Sequence, residues 1–357
     1  MYFYKDCPQL MSDKGETRRY QELDALRGIA ALLVLFFHFT IWRPEAKLGF
    51  NLGNTEVHLF FIISGFVIFM SLSKVKSGIE FVINRFSRLY PAYWAAVTLT
   101  FVARFFYCAY INPEGESVSI GQYFGNLTMF QFYLGIPNID DQYWTLMVEM
   151  LFYIFVLLLF QSKLLKHIEV IGITLSILAI LLANLCWNAS VGRFFHYMQL
   201  LKYFPLFFAG ILFYKLYTQK EKPLKNYALV LLCLLCNLSL YKSDWYIFIS
   251  FKEYAGMIIL YFLLFFLFVN NRLNFIVNPV TIFLGKISYS LYLIHNFISV
   301  GLLVPILVDT WHLNFWFASL GIVLPVNLLI ASFVNYVVEV PLGAKIKTKL
   351  FSIVSKA

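Results

Sequence analysis

Ten long apolar segments, most of them joined by short polar connections, dominate this 357-residue chain. They lie near 25–42, 57–73, 90–110, 143–160, 169–187, 198–214, 226–241, 254–270, 287–308 and 314–336. Each comes close to the roughly 20 apolar residues that carry an α-helix across a bilayer. Only 13% of the residues are charged, against about 25% in soluble domains. The expected fold is all-α: a polytopic transmembrane helix bundle of about ten spans. Neighbours should pack antiparallel where the connecting loops are short.

Lysine and arginine positions orient the bundle. With the N-terminus in the cytoplasm, 21 of the 28 basic residues fall on the cytoplasmic side, six fall outside and Arg104 lies within a span. That bias predicts cytoplasmic termini and an even number of spans. The loop from Ile111 to Gln142 has no Lys or Arg and carries Glu114, Glu116, Asp140 and Asp141, as an outer loop should. The net charge of +9 reads as orientation and contact with the anionic lipid bilayer, with no nucleic-acid partner.

The first nineteen residues lack the short apolar core of a secretory signal. They are expected to stay as a cytoplasmic segment, 1–19. One membrane domain, 20–341, follows, then a basic cytoplasmic tail, 342–357. No internal repeat and no second globular domain is visible. The five cysteines are Cys7, Cys108, Cys186, Cys233 and Cys236. The C-x-x-C of Cys233 and Cys236 lies inside an apolar run without a second ligand pair, so it reads as buried small hydrophobes and no metal is expected.

Four constellations stand above the apolar background. The first is Arg27 and His38 in the opening span. Eleven helical steps bring them within about 20° of one face, at a rise of roughly 16 Å. A neutral imidazole near pH 7 can accept a hydroxyl proton and return it; a helix-packing hydrogen bond would also account for His38. The second is Arg85-Phe86-Ser87-Arg88-Leu89-Tyr90-Pro91, where one helical turn aims both guanidinium forks the same way. Such forks suit phosphate, although a topology signal would explain them equally. The third is Tyr143-Trp144-Thr145-Leu146-Met147-Val148-Glu149, followed by Phe152 and Tyr153. It places a carboxylate inside an apolar span, where it must be paired, protonated or open to a water-filled cavity. The fourth, Gly285 to His295, adds a second intramembrane histidine beside Ser288 and Ser290.

Together these segments resemble the membrane-bound acyltransferase 3 family over most of the chain. Leu23 to Ala31 with His38 is similar to its opening R-x10-H signature. Leu59 to Phe66 resembles its second-helix motif, and Arg85-x-x-Arg88-x-x-Pro91 its arginine loop. Trp144-Thr145-Leu146 with Glu149, Phe152 and Tyr153 is similar to its W-[ST]-L…E…FY segment. Gly285 to His295 resembles its G-x-[IL]-S-Y-x-[IL]-Y-L-x-H segment, and Tyr336, Glu339 and Pro341 its closing Y…E-x-P. The chain departs at His58, where the family usually has Asp. It also departs in the short stretch after Pro341, where some members carry an esterase-like domain.

The resemblance implies an O-acyltransferase of the bacterial inner membrane. It would move an acyl group, most often acetyl, from acyl-CoA to a carbohydrate hydroxyl. Arg85 and Arg88 would then bind the donor phosphates. His38 would act as the base or take the acyl group transiently. Arg27 would orient the donor or stabilise developing charge, and Glu149 and His295 would hold the imidazole or the acceptor. O-antigen, exopolysaccharide, peptidoglycan and small glycosides all fit as acceptor, and a homo-oligomer is one option for assembly. The competing readings are a transporter or flippase of a lipid-linked saccharide and a catalytically idle membrane scaffold.

Overall fold

Hydrocarbon offers no hydrogen-bonding partner to backbone amides, so apolar spans must satisfy their own, as helices. The computed structural model describes residues 20–41, 43–48, 50–111, 113, 117–184, 189–218, 223–241 and 248–355. The proposed N-terminal segment 1–19 with Cys7, and also Glu114, Glu116, Cys186, Lys220, Lys222, Lys242 and residues 356–357, lie outside the described residues. Among the described residues the regular structure is entirely helical, and a helix stands at each of the ten expected spans.

These spans are α1 (Gln21–Thr40), α2 (Glu56–Leu72), α3 (Gly78–Tyr110), α5 (Tyr143–Gln161), α6 (Ile168–Asn184), α8 (Gln199–Thr218), α9 (Pro223–Ser239), α10 (Phe251–Val269), α11 (Pro279–Thr310) and α12 (Phe317–Val354). Nine of the helices in the described residues are long and apolar enough to cross a bilayer, and α9, with 17 residues, is shorter. Two short helices, α4 (Ile120–Asn126) and α7 (Ala189–Tyr197), join spans. Helix starts follow local chemistry. Ser77 accepts from the Glu80 amide ahead of α3, and Asn278 caps α11 with Pro279 in the first turn. Parts of α11 and α12 are wound as π-helix, over Asn296–Leu303, Pro305–Thr310, Phe317–Val323 and Val334–Glu339. Such wider turns are uncommon and frequently flank functional sites.

Contacts between helix ends fix the two sides of the bundle. On one side Tyr20 packs edge-on against Tyr217 (5.3 Å) and Phe268 (6.0 Å). There Glu169 also pairs with Lys215 (2.5 Å) and Lys225. On the other side Arg43 pairs with Asp309 at 2.9 Å, Asn51 donates to Phe248 O at 2.7 Å, and Tyr133 donates to Tyr197 O at 2.7 Å. The first side, which carries the expected surplus of Lys and Arg, is called the basic side and the second the outer side.

Two helix crossings organise the interior, α1 on α11 and α2 on α8. Both depend on glycine. A Cβ on Gly28 would stand 2.6 Å from the Gly285 amide nitrogen, and one on Gly285 would overlap the Asp24 carbonyl. At the second crossing a Cβ on Gly65 would overlap Phe207 O, and one on Gly210 would overlap Ile62 O. Small residues let backbones approach closely where helices pack by van der Waals contact in lipid. Around these crossings the phenylalanines fill the core, as where Phe152 stacks on Phe207 at 4.2 Å and Phe61 tilts against it at 4.7 Å. Cys233 and Cys236 are buried free thiols on α9, and Cys108 is a half-buried one on α3.

Candidate active site

Three guanidiniums converge on one cavity of ≈ 100 Å³. Arg27 comes from α1, and Arg85 and Arg88 from the first turns of α3. At 33 residues α3 is roughly 50 Å long, well beyond the hydrocarbon thickness, so its arginine-bearing start reaches the basic face. Arg88 is exposed and marks the open end, while Arg27 and Arg85 are partly covered. Arg85 donates to Ser71 Oγ at 2.6 Å and stands over the rings of Phe81 and Tyr153. Asp24 lies 4.0 Å from Arg27. Among the described residues neither Arg85 nor Arg88 has a carboxylate within 4 Å.

Glu149 supplies the one carboxylate in the cavity wall. Ser64 Oγ and Tyr153 OH both donate to its Oε1, each at 2.5 Å. These bonds hold Glu149 within the arginine cavity, so it does not brace His38, as one reading of the sequence had it. The remaining polar lining comes from Thr145, Ser288, Tyr289 and Tyr292. Ser288 bonds only backbone, at Gly285 O. Ser290 reaches Glu339 at 2.7 Å, and Asn335 donates to the same oxygen at 3.0 Å.

His38 and His295 do not line this cavity. They meet each other instead, with His38 Nδ1 3.3 Å from His295 Nε2 and the rings 4.8 Å apart. His38 Nδ1 also lies 2.8 Å from Val34 O, and His295 Nδ1 lies 2.7 Å from Tyr292 O. A carbonyl can only accept, so in the neutral rings both Nδ1 atoms carry the proton. His38 Nε2 is then left as a bare acceptor. A proton gained there makes an imidazolium whose Nδ1–H points at two acceptors, Val34 O and His295 Nε2. His295 Nε2 thus lies in position to accept from the His38 ring.

The same geometry separates Arg27 from His38. Their rise along α1 is roughly 16 Å, too far for one guanidinium to stabilise an oxyanion formed beside the imidazole. Arg27 thus lines the cavity with Arg85 and Arg88 and stands away from His38. His58 also stands apart. It is buried between Tyr203 (5.9 Å) and Tyr254 (5.6 Å), with Nδ1 3.0 Å from Thr55 O.

Sequence reasoning gave no role to Tyr153, Tyr289 and Tyr292, although all three lie inside the quoted motifs. It used Asp140 only as an outer-loop charge. This buried side chain of the outer loop accepts from the Phe297 amide at 3.2 Å, two residues beyond His295. Burial pushes the Asp140 carboxyl up to about 7, so the folded protein keeps a proton that the unfolded chain releases near pH 4. Folding takes up that proton, and stability falls as pH rises from about 4 to about 7. Asp140→Asn should flatten this slope while keeping the acceptor for Phe297. Melting temperatures in detergent across that window, wild type against variant, would check it.

Residues 20–338 match the family model described as "Acyltransferase domain". Open reading frame 330 of Acidianus two-tailed virus, provisionally named an acetyltransferase, is 26% identical over 290 residues, covering 76% of this chain and 80% of that protein. Nodulation protein 10 of Rhizobium leguminosarum bv. viciae is 26% identical over 168 residues, 40% of this chain and 45% of that protein. No solved structure matches.

Proposed function

The chain belongs to this acyltransferase family, and we propose that it is a multi-pass O-acyltransferase drawing its donor, an acyl-CoA, from the cytoplasm. The acyl group, acetyl as first candidate, goes to a hydroxyl of an exported carbohydrate such as O-antigen or exopolysaccharide. The bacterial inner membrane is the setting, with the basic side facing the cytoplasm.

One observation carries the reading: three guanidiniums face a single lining carboxylate in a cavity among membrane spans. Three clustered cations repel one another unless something anionic sits among them. A cationic surplus retained there suits an anionic ligand, and guanidinium forks match phosphate. A 100 Å³ cavity is small beside the roughly 300–1,000 Å³ of sites that enclose a whole ligand. It suits the reacting end of a long donor, with the phosphates nearer exposed Arg88.

The chemistry then falls to the histidine pair. His38 Nε2 removes the acceptor's hydroxyl proton as the oxygen attacks the thioester carbonyl. The new C–O bond forms, the C–S bond breaks, and the imidazolium returns the proton to the departing thiolate. His295 holds the ring in the required tautomer and accepts from its Nδ1–H.

Labelled acyl-CoA given to purified protein with a glycan acceptor tests the reaction class. Ester formation supports it, whereas a transporter would move its cargo and form none. Replacing both Arg85 and Arg88 by Ala should raise the donor KM by about 10- to 100-fold per guanidinium lost, with kcat changing less. A donor lacking its 3′-phosphate should show a smaller rise if one fork grips that group. An unchanged KM would remove the phosphate assignment.

A further inference from the structure

Neither histidine lines the arginine cavity, and Tyr292 touches both the cavity and the histidine pair. Tyr292 lines the cavity, while its ring lies 5.5 Å from His295 and its carbonyl accepts from His295 Nδ1 at 2.7 Å. Its hydroxyl is 2.7 Å from Thr145 Oγ1 and 3.3 Å from Gln142 O, and Thr145 Oγ1 donates to the same carbonyl at 3.0 Å. Phe60 backs the ring at 5.7 Å. The side chain is therefore buried and pinned at its tip to the start of α5.

We propose that Tyr292 is the gate of the transfer reaction, closed here, and that its displacement joins the donor cavity to His38. This rests on the acyltransferase reading. The closed position has a chemical purpose. Water beside both the thioester and His38 would be consumed in the same way as an alcohol. Its oxygen would attack the carbonyl, its proton would pass through His38 Nε2 to the leaving thiolate, and a free carboxylic acid and CoA thiol would result. Holding the tyrosine shut until an acceptor is seated prevents that loss.

The latch is two hydroxyls meeting at one carbonyl, with two protons shared among three contacts, so it can be loosened from either side. Thr145→Val keeps the shape and removes one hydroxyl. Tyr292→Phe keeps the ring and removes the other. Tyr292→Ala removes the partition. Each should turn the protein into a leaking thioesterase, measured as CoA thiol released from acetyl-CoA without acceptor. The expected rise over wild type is several-fold for the two latch variants and about tenfold or more for Tyr292→Ala. Transfer per acetyl-CoA consumed should fall in the same order. A purely structural tyrosine would lower transfer and hydrolysis together. Folded variants that lose transfer without gaining hydrolysis, with wild type active in transfer, would overturn the gate alone. A wild type that makes no ester from any acyl-CoA would instead overturn the reading beneath it.

Discussion

Replacing His38 by alanine is expected to lower acyl transfer by about 10²- to 10⁴-fold, the usual contribution of a positioned general base. The ring sits at the outer end of α1 and is only partly buried, so its loss leaves the bundle's main crossings intact. Insertion, expression and the donor KM should hold, because the three arginines lie in a separate cavity. His38→Gln is the stricter variant, since an amide N–H can still reach Val34 O or His295 Nε2 while supplying no base. His295→Gln should cost less, about 10- to 100-fold, as expected of a positioning residue. Added imidazole should restore part of the activity of His38→Ala and none of that of His38→Gln. Transfer at the wild-type rate by a correctly inserted His38→Ala protein would dispose of the proposed base.

The second large effect concerns backbone contact. Gly285→Ala places a methyl group against the Asp24 carbonyl, and Gly28→Ala places one against the Gly285 amide. Neither obstacle is a flexible side-chain tip, so α1 and α11 must separate. Overpacking of this kind costs about 1–3 kcal/mol, and valine at either position should leave no recoverable folded protein. The alanine variants carry a further signature. The crossing they spread also sets the meeting of His38 with His295, so activity should fall even in the fraction that stays folded. Gly256→Ala is the matched control. A Cβ there meets nothing within 4 Å, and within a helix it should be neutral or slightly stabilising. Thermal unfolding and specific activity measured on the same detergent preparations separate the two effects.

The bundle was legible because hydrocarbon allows one solution to an apolar run of about twenty residues. Each of the ten expected segments therefore falls on a helix, and seven, including the short α9, match it within four residues at both ends, whereas α3 starts 12 residues before its segment, α11 starts 8 before, and α12 runs 18 beyond. The polar residues of the candidate site could be singled out one by one, but their grouping could not be read. Arg85 and Arg88 share a cavity, as their spacing of three predicts. That Arg27 joins them while His38 does not could not be read from a shared helix face, because a common face says nothing about where a cavity ends. The pairing of His38 with His295 joins residues 257 positions apart, beyond the reach of any local pattern. Tyr292 was hidden among 23 tyrosines. In a chain this aromatic, a gate and a packing residue have the same letter, and only the hydroxyl's partners tell them apart. The π-wound stretches of α11 and α12 leave no pattern in the sequence that we recognise.

The close crossing of α1 with α11 bears on how the molecule is made. Span α1 leaves the ribosome some 250 residues before its partner α11, about 13–50 s earlier at ordinary elongation rates. Throughout that interval a newborn helix holding a guanidinium and an imidazole must wait in or beside the lipid without the neighbour that will enclose them. Synthesis of this protein therefore calls for an insertase or membrane chaperone able to shelter an unfinished polar helix, and a chain halted before Gly285 should be a ready target for quality-control proteolysis.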